Sequence, residues 1–156
     1  MGKIRPCLWF DTQAEDAAKL YVSLFENSRI IETSYYGEAG PMPAGTVLTV
    51  SFELDGQELL ALNGGPLYTF SEAISLSVSC ETQDEVDHFW NGLGEGGEFG
   101  PCGWLKDRFG LSWQVVPTAL PRLLGHPDPE TAQRVMKAMM QTGKLDIAEL
   151  EAAAEG

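Results

Sequence analysis

Cations are scarce in this chain. Ten Lys plus Arg stand against 23 Asp plus Glu, a formal charge of −13 over 156 residues, and such a surface repels phosphate backbones and anionic membranes. Neither nucleic acid nor membrane is an expected partner. The acidic residues are spread along the chain rather than gathered in a tail, which reads as a mutually repelling surface and does not by itself indicate a cationic substrate. Cysteine is also sparse. Cys7, Cys80 and Cys102 are odd in number, lack CxxC spacing and sit in or beside apolar runs, so buried reduced thiols are expected. No apolar run approaches the roughly 20 residues needed to span a bilayer. The opening Met1-Gly2-Lys3-Ile4-Arg5-Pro6 leads into a short strand rather than a signal peptide, so a cytoplasmic protein is expected. What is present, 44% hydrophobic residues, suffices for one domain or for two small halves sharing a core.

The densest run of glycine, aromatic and turn signals is Gly100 to Pro117, which reads as a hairpin. Its strands are Cys102 to Lys106 and Leu111 to Val116, joined by Asp107-Arg108-Phe109-Gly110, with Gly110 free to take positive φ. Alternation puts Leu111, Trp113 and Val115 on one face of the second strand and Ser112, Gln114 and Val116 on the other. Gln114 is then either a satisfied polar group in a core or the floor of a pocket.

Upstream, residues 4 to 10 are a strand candidate, with Pro6 suggesting an edge or a bulge. Thr12 and Glu15 form a capping box for a helix whose apolar face is Ala14, Ala17, Ala18, Tyr21, Leu24 and Phe25. Arg29 to Tyr36, a loop from Gly37 to Gly45, Thr46 to Leu54, a type I′ turn at Asp55-Gly56 and Gln57 to Leu62 follow. After Asn63-Gly64-Gly65-Pro66 and a short loop, Ala73 to Cys80 begins another strand and the order repeats. Thr82-Gln83-Asp84-Glu85 matches Thr12-Gln13-Ala14-Glu15 in pattern, and the helix it opens carries Val86, Phe89, Trp90 and Leu93 on one face. A poor strand near Glu98 and the hairpin complete the second half. Two halves this small are not easily independent, so a shared sheet is expected. The remainder is helical. Asp128-Pro129-Glu130 caps a helix striped with Ala132, Val135, Met136, Met139 and Met140, a stripe that reads as core. Asp146 and Glu149 form another box, with Leu145 and Leu150 as a staple.

This duplicated order, together with Pro6 to Asp11, Thr49 to Gly56, Leu62 to Pro66, Ala73 to Val78 and Gly100 to Pro117, resembles the vicinal-oxygen-chelate superfamily of glyoxalases, extradiol dioxygenases and bleomycin- and fosfomycin-resistance proteins. Within it the chain is most similar to the PhnB-like branch, often labelled 3-demethylubiquinone-9 3-methyltransferase. The resemblance implies an α+β fold: two βαβββ modules, residues 3–66 and 67–117, forming a shared curved mixed sheet around a cleft, with C-terminal helices over 118–156 and usually a homodimer.

Metal-dependent members of the superfamily carry ligands on the first, fourth, fifth and eighth strands. Carried over, these fall at or near Pro6, Ala61 to Asn63, Ala73 to Ser75 and Gln114, without a His or carboxylate at any of them. Neutral amides and hydroxyls bind a divalent ion poorly, so neither metal nor cofactor is expected. His88 and His126 read as solvated, and Asp107 with Arg108 as turn chemistry. The cleft is expected to be lined by Trp9, Asn63, Ser75, Trp104, Ser112 and Gln114 and to hold a small molecule. The competing expectation is an enzyme on a small oxygenated or aromatic metabolite, with Cys102 or a water held by Gln114 taking part. Methyl transfer is discounted, since no glycine-rich turn leads from a strand into a helix and no doubly wound parallel sheet is foreseen.

Overall fold

A computed structural model describes residues 2–156; Met1, where the opening segment starts, lies outside the described residues. The chain divides after Phe70 into two compact units. In the first, β1 (Cys7–Phe10), α1 (Ala14–Leu24), β2 (Arg29–Tyr35), β3 (Val47–Leu54) and β4 (Gln57–Asn63) follow one another. The sheet order is β1-β4-β3-β2, with β1 parallel to β4 and the other pairs antiparallel. Asp55 at φ 46° and Gly56 at φ 86° make the positive-φ pair that a type I′ turn demands.

The helix face foreseen in α1 is the one that packs. Ala14, Ala17, Ala18 and Tyr21 are fully buried together with Leu8, Phe10, Val50, Phe52, Leu59 and Ala61. Small alanines let the helix lie close to the sheet, and Tyr21 meets Phe52 at 6.2 Å between ring centroids. The Thr12–Glu15 capping box does not form. Gln13 is the N-cap and makes no side-chain cap bond. Instead Ala14 N–H donates to Asn63 Oδ1 at 2.8 Å, so the orphan donor of the first turn is satisfied from β4.

The second unit repeats the order with β5 (Leu76–Cys80), α2 (Gln83–Gly94), β6 (Glu98–Phe99), β7 (Trp104–Lys106) and β8 (Ser112–Pro117), in the sheet order β5-β8-β7-β6. Here the cap is real: Thr82 Oγ1 accepts from Glu85 N–H at 3.2 Å. Val86, Phe89, Trp90 and Leu93 bury against Val78, Cys80, Leu105, Trp113 and Val115. Hydrogen-bonded pairing thus gives two four-stranded mixed sheets, one in each of the two βαβββ modules expected. Each hairpin and each parallel pair finds its partners within its own module, and Pro6, next to the edge strand β1, has no N–H to extend a ladder.

Three helices complete the second unit: α3 (Ala119–Leu124), α4 (Pro129–Met140) and α5 (Ile147–Glu155). Asp128 and Asp146 cap as read, accepting from Glu130 N–H at 3.2 Å and Glu149 N–H at 3.1 Å. Leu145 and Leu150 join Ala119, Leu120, Leu123 and Val135 in one cluster. The methionine stripe is only partly core. Met139 packs on this cluster, whereas Met136 and Met140 are exposed, because the buried line of α4 runs through Thr131 and Val135 and leaves them on the outer flank. Among the described residues no helix is long and apolar enough to cross a membrane.

Candidate functional site

The second sheet has two faces with different chemistry. Leu105, Trp113 and Val115 face α2 and are buried. Strand register places Trp104 opposite Gln114, Lys106 opposite Ser112 and Ser77 beside Gln114, so all five share the other face. This face is held by the hairpin turn. Asp107 Oδ1 accepts from Phe109 N–H at 2.9 Å and Leu111 N–H at 3.1 Å, while Oδ2 accepts from Trp113 Nε1–H at 2.9 Å. Three donors on one buried carboxylate lock the turn, and Gly110 completes it at φ 91°. Asp107 is therefore turn chemistry, as read, and Trp113 is a core residue tied to it.

A cavity of about 420 Å³ opens on this face, lined chiefly by Glu72, Glu98, Pro101, Trp104, Lys106 and Ser112. Ser112 is 1% exposed, and among the described residues its Oγ has no hydrogen-bond partner. Lys106 Nζ forms an ion pair with Glu72. The hydrogen bond from Lys106, reinforced by its charge, holds the Glu72 carboxyl below its ordinary range, and the same bond raises the Lys106 ammonium. Beside the cavity, Gln114 Nε2 donates to Ser75 Oγ at 3.0 Å, which leaves Gln114 Oε1 as an acceptor.

Four residues singled out from sequence, Ser75, Trp104, Ser112 and Gln114, therefore belong to this part of the second unit. The other two lie in the first unit. Asn63 is buried beside α1, with Oδ1 on Ala14 N–H and Nδ2 donating to Val47 O at 3.0 Å. Trp9 is half-buried. Its Nε1 donates to Gly65 O at 2.9 Å, Tyr68 meets it edge-on at 5.0 Å, and its indole lies against Gly64, where any Cβ would collide with the ring. The irregular strip from Gly64 to Tyr68 thus secures Trp9.

Cys102 is half-buried at φ 58° and, among the described residues, is not one that lines the cavity. Burial, with Glu85 adding to it, pushes the Cys80 thiol up to about 11. Cys7 corrects the expectation of three buried thiols: it is exposed, because the first position of β1 points away from α1. His88 and His126 are both exposed. Sequence reasoning missed Lys106, Glu72 and Glu98. The available signal for Lys106 was period two from Trp104, which places both on one face; Glu72 comes from a loop and carries no such signal.

A divalent ion of the kind held by metal-dependent members of the resembled superfamily does not fit these residues. Gln114 offers only a neutral amide oxygen, Asn63 has both ends of its amide on backbone, and among the described residues no three His, Cys, Asp or Glu side chains converge.

Comparison with known proteins agrees with the architecture. Residues 2–116 match the family described as 3-demethylubiquinone-9 3-methyltransferase. A putative 3-demethylubiquinone-9 3-methyltransferase, the PhnB protein from Bacillus cereus, is 36% identical over 75% of this chain and 100% of its own, with a TM-score of 0.68. A protein from Pseudomonas aeruginosa shares the fold at 21% identity, over 75% of this chain and 98% of its own, with a TM-score of 0.63. The fosfomycin resistance protein FosX from Listeria monocytogenes, solved with Mn(II) and sulfate, shares it at 18% identity, over 78% and 97%, with a TM-score of 0.55. No curated protein matches the chain. With its duplicated βαβββ order and a match across most of its length, the chain belongs to the 3-demethylubiquinone-9 3-methyltransferase family, the PhnB-like branch of the vicinal-oxygen-chelate superfamily.

Proposed function

We propose that the protein binds a small, largely apolar molecule on the open face of its second sheet, holds it without a metal ion and does so as a homodimer. Ser112 is the observation that carries this reading. Ser112 lines a mostly apolar cavity, and among the described residues its buried hydroxyl has no partner, an arrangement that costs about 1–3 kcal/mol unless something pairs with it. A hydrogen-bonding group on a ligand supplies that partner. Trp104 and Pro101 offer flat apolar contact, and Gln114 Oε1 and the Lys106–Glu72 pair offer polar contacts that orient what enters. The exposed apolar residues Ile30, Ile31 and Tyr35 on the edge strand β2 support association of two copies.

The family's descriptive name is not carried over as the activity. Asn63-Gly64-Gly65-Pro66 runs into irregular chain rather than a helix N-terminus, and both sheets are mixed. Common S-adenosylmethionine enzymes need the reverse on both counts.

Native mass spectrometry of the protein as purified tests the reading. The expected spectrum is a metal-free dimer of the 17.0 kDa chain carrying a small molecule. A stoichiometric metal ion overturns it. Calorimetric titration with 2-naphthol, a planar apolar probe with one hydroxyl, gives the residue-level test. Ser112→Ala should weaken binding about tenfold, or about 1.4 kcal/mol. The folded state should be no less stable, because the orphan hydroxyl leaves with the substitution. Equal affinity in the two proteins would count against Ser112 as a ligand contact.

A further inference from the structure

The family match ends at residue 116, so α3, α4 and α5 lie beyond it. These helices are fastened to the second module at a point that bears on the cavity. Cys102 N–H donates to Thr142 O and Gly103 N–H to Gly143 O, both at 2.8 Å. The loop so held, Gly100 to Gly103, contributes Gly100 and Pro101 to the cavity lining and runs directly into Trp104. Cys102 at φ 58° and Gly103 at φ 83° are two successive left-handed residues, a conformation that a non-glycine residue keeps only when its surroundings hold it.

The fit leaves no slack. A Cβ on Gly103 would stand 2.8 Å from Val115 O and 3.0 Å from Leu145 Cδ1, and one on Gly143 would stand 3.3 Å from Gly100 O. The segment that clamps the loop is itself anchored to α2. Gln83 Nε2 donates to Leu145 O at 3.1 Å, Gln83 Oε1 accepts from Ile147 N–H at 2.8 Å, and Lys144 pairs with Asp87 at 2.9 Å. Gln83 lies outside the cavity lining, and its bonds to Leu145 and Ile147 tie it to the clamp.

We propose that Thr142 to Leu145 is a positioning segment for the ligand cavity. By holding the Gly100–Gly103 wall it sets the size of molecule that the cavity admits, so that selectivity is written partly in helices outside the family's matched region. The inference rests on the reading of the cavity as a ligand site.

The test compares the full-length protein with Gln83→Ala and Gly143→Ala. The first removes both Gln83 hydrogen bonds to the clamp and leaves the Lys144–Asp87 pair; the second presses a methyl group toward Gly100 O. Two readouts are taken: calorimetric affinity for 2-naphthol and for the larger 1-hydroxypyrene, and hydrogen exchange at the Cys102 and Gly103 amides. The expected result is at least tenfold faster exchange at both amides in Gln83→Ala. The affinity ratio between the two probes should change about fivefold or more in both variants. A merely structural role lowers the melting temperature and leaves that ratio unchanged. Wild-type protein that binds 2-naphthol, with variants whose probe ratio or amide exchange stays at the wild-type value, overturns the positioning role alone. Wild-type protein that binds neither probe overturns the cavity reading and this inference with it.

Discussion

Asn63 commits its amide to Ala14 N–H and Val47 O within the first unit, and this predicts an inversion of what local capping rules suggest. Replacing Asn63 by Ala strands a buried donor and a half-buried acceptor and should cost about 2 kcal/mol. Thr12→Ala, which deletes the capping residue that the sequence pattern favours, should cost under about 0.5 kcal/mol, since no side chain caps from the N-terminal side. Urea denaturation of the two variants checks this, and a larger loss for Thr12 would refute it. The thiols offer a second contrast at the same scale. Cys7 is exposed and should react with a disulfide reagent in native protein. Cys80, buried with its thiol pushed up to about 11, presents only about a thousandth as thiolate at pH 8 and should stay silent until the chain unfolds. Mass mapping of the modified cysteines after partial labelling decides between them.

Among the elements, the pairing of β6 with β7 is the most exacting. Gly97 opposes the backbone of Lys106 and Asp107 so closely that any Cβ would overlap the Lys106 carbonyl. Gly97→Ala should therefore displace the strand that presents Trp104 and Lys106, at a cost of about 1–3 kcal/mol. Probe binding should fall together with stability, in contrast to Ser112→Ala, where affinity falls alone. A Gly97→Ala protein with wild-type melting temperature would show that β6 yields. The Asp55-Gly56 hairpin, the Thr82 cap and the Asp128 and Asp146 caps were legible because each is a local transaction between residues two to four apart. The capping of α1 was not, because its partner is a side chain 49 positions downstream. The stripe of α4 misled for a related reason: helical spacing gives an apolar face, but the neighbouring helices decide which part of it is covered.

For the whole molecule, the −13 charge dominates the response to conditions. Like charges repel in the compact state, so raising ionic strength from about 0.01 M to about 0.5 M at neutral pH should raise the melting temperature. A fall would mean that the surface ion pairs outweigh the general repulsion. Acid acts through particular carboxyls. Glu72 is held down by Lys106, Asp87 by Lys144 and Gln83, and Asp128 by Thr131 and the Glu130 N–H. Their contributions are complete above the ordinary carboxyl values of 4.5 for Glu72 and 3.8 for the two aspartates, and they are lost as pH falls through the lower folded-state values. Stability measured against pH should therefore drop below about pH 4.5, and Lys106→Met should flatten the part of that drop due to Glu72.

What the sequence determined by itself is the set of features built from short-range rules: the repeated βαβββ order, the hairpins and their turns, the buried faces of α1 and α2 and three of the caps. Two-residue and 3.6-residue periodicities act between neighbours in the chain, so they can be read without knowing what lies opposite. The division of strand pairing into two sheets, the turning of Asn63 toward α1, the orphaned hydroxyl of Ser112 and the clamp on Gly100–Gly103 were decided only in the tertiary structure. Each depends on which distant group completes, or fails to complete, a hydrogen bond, and on how much room packing leaves. The spacing of residues along the chain carries no record of either.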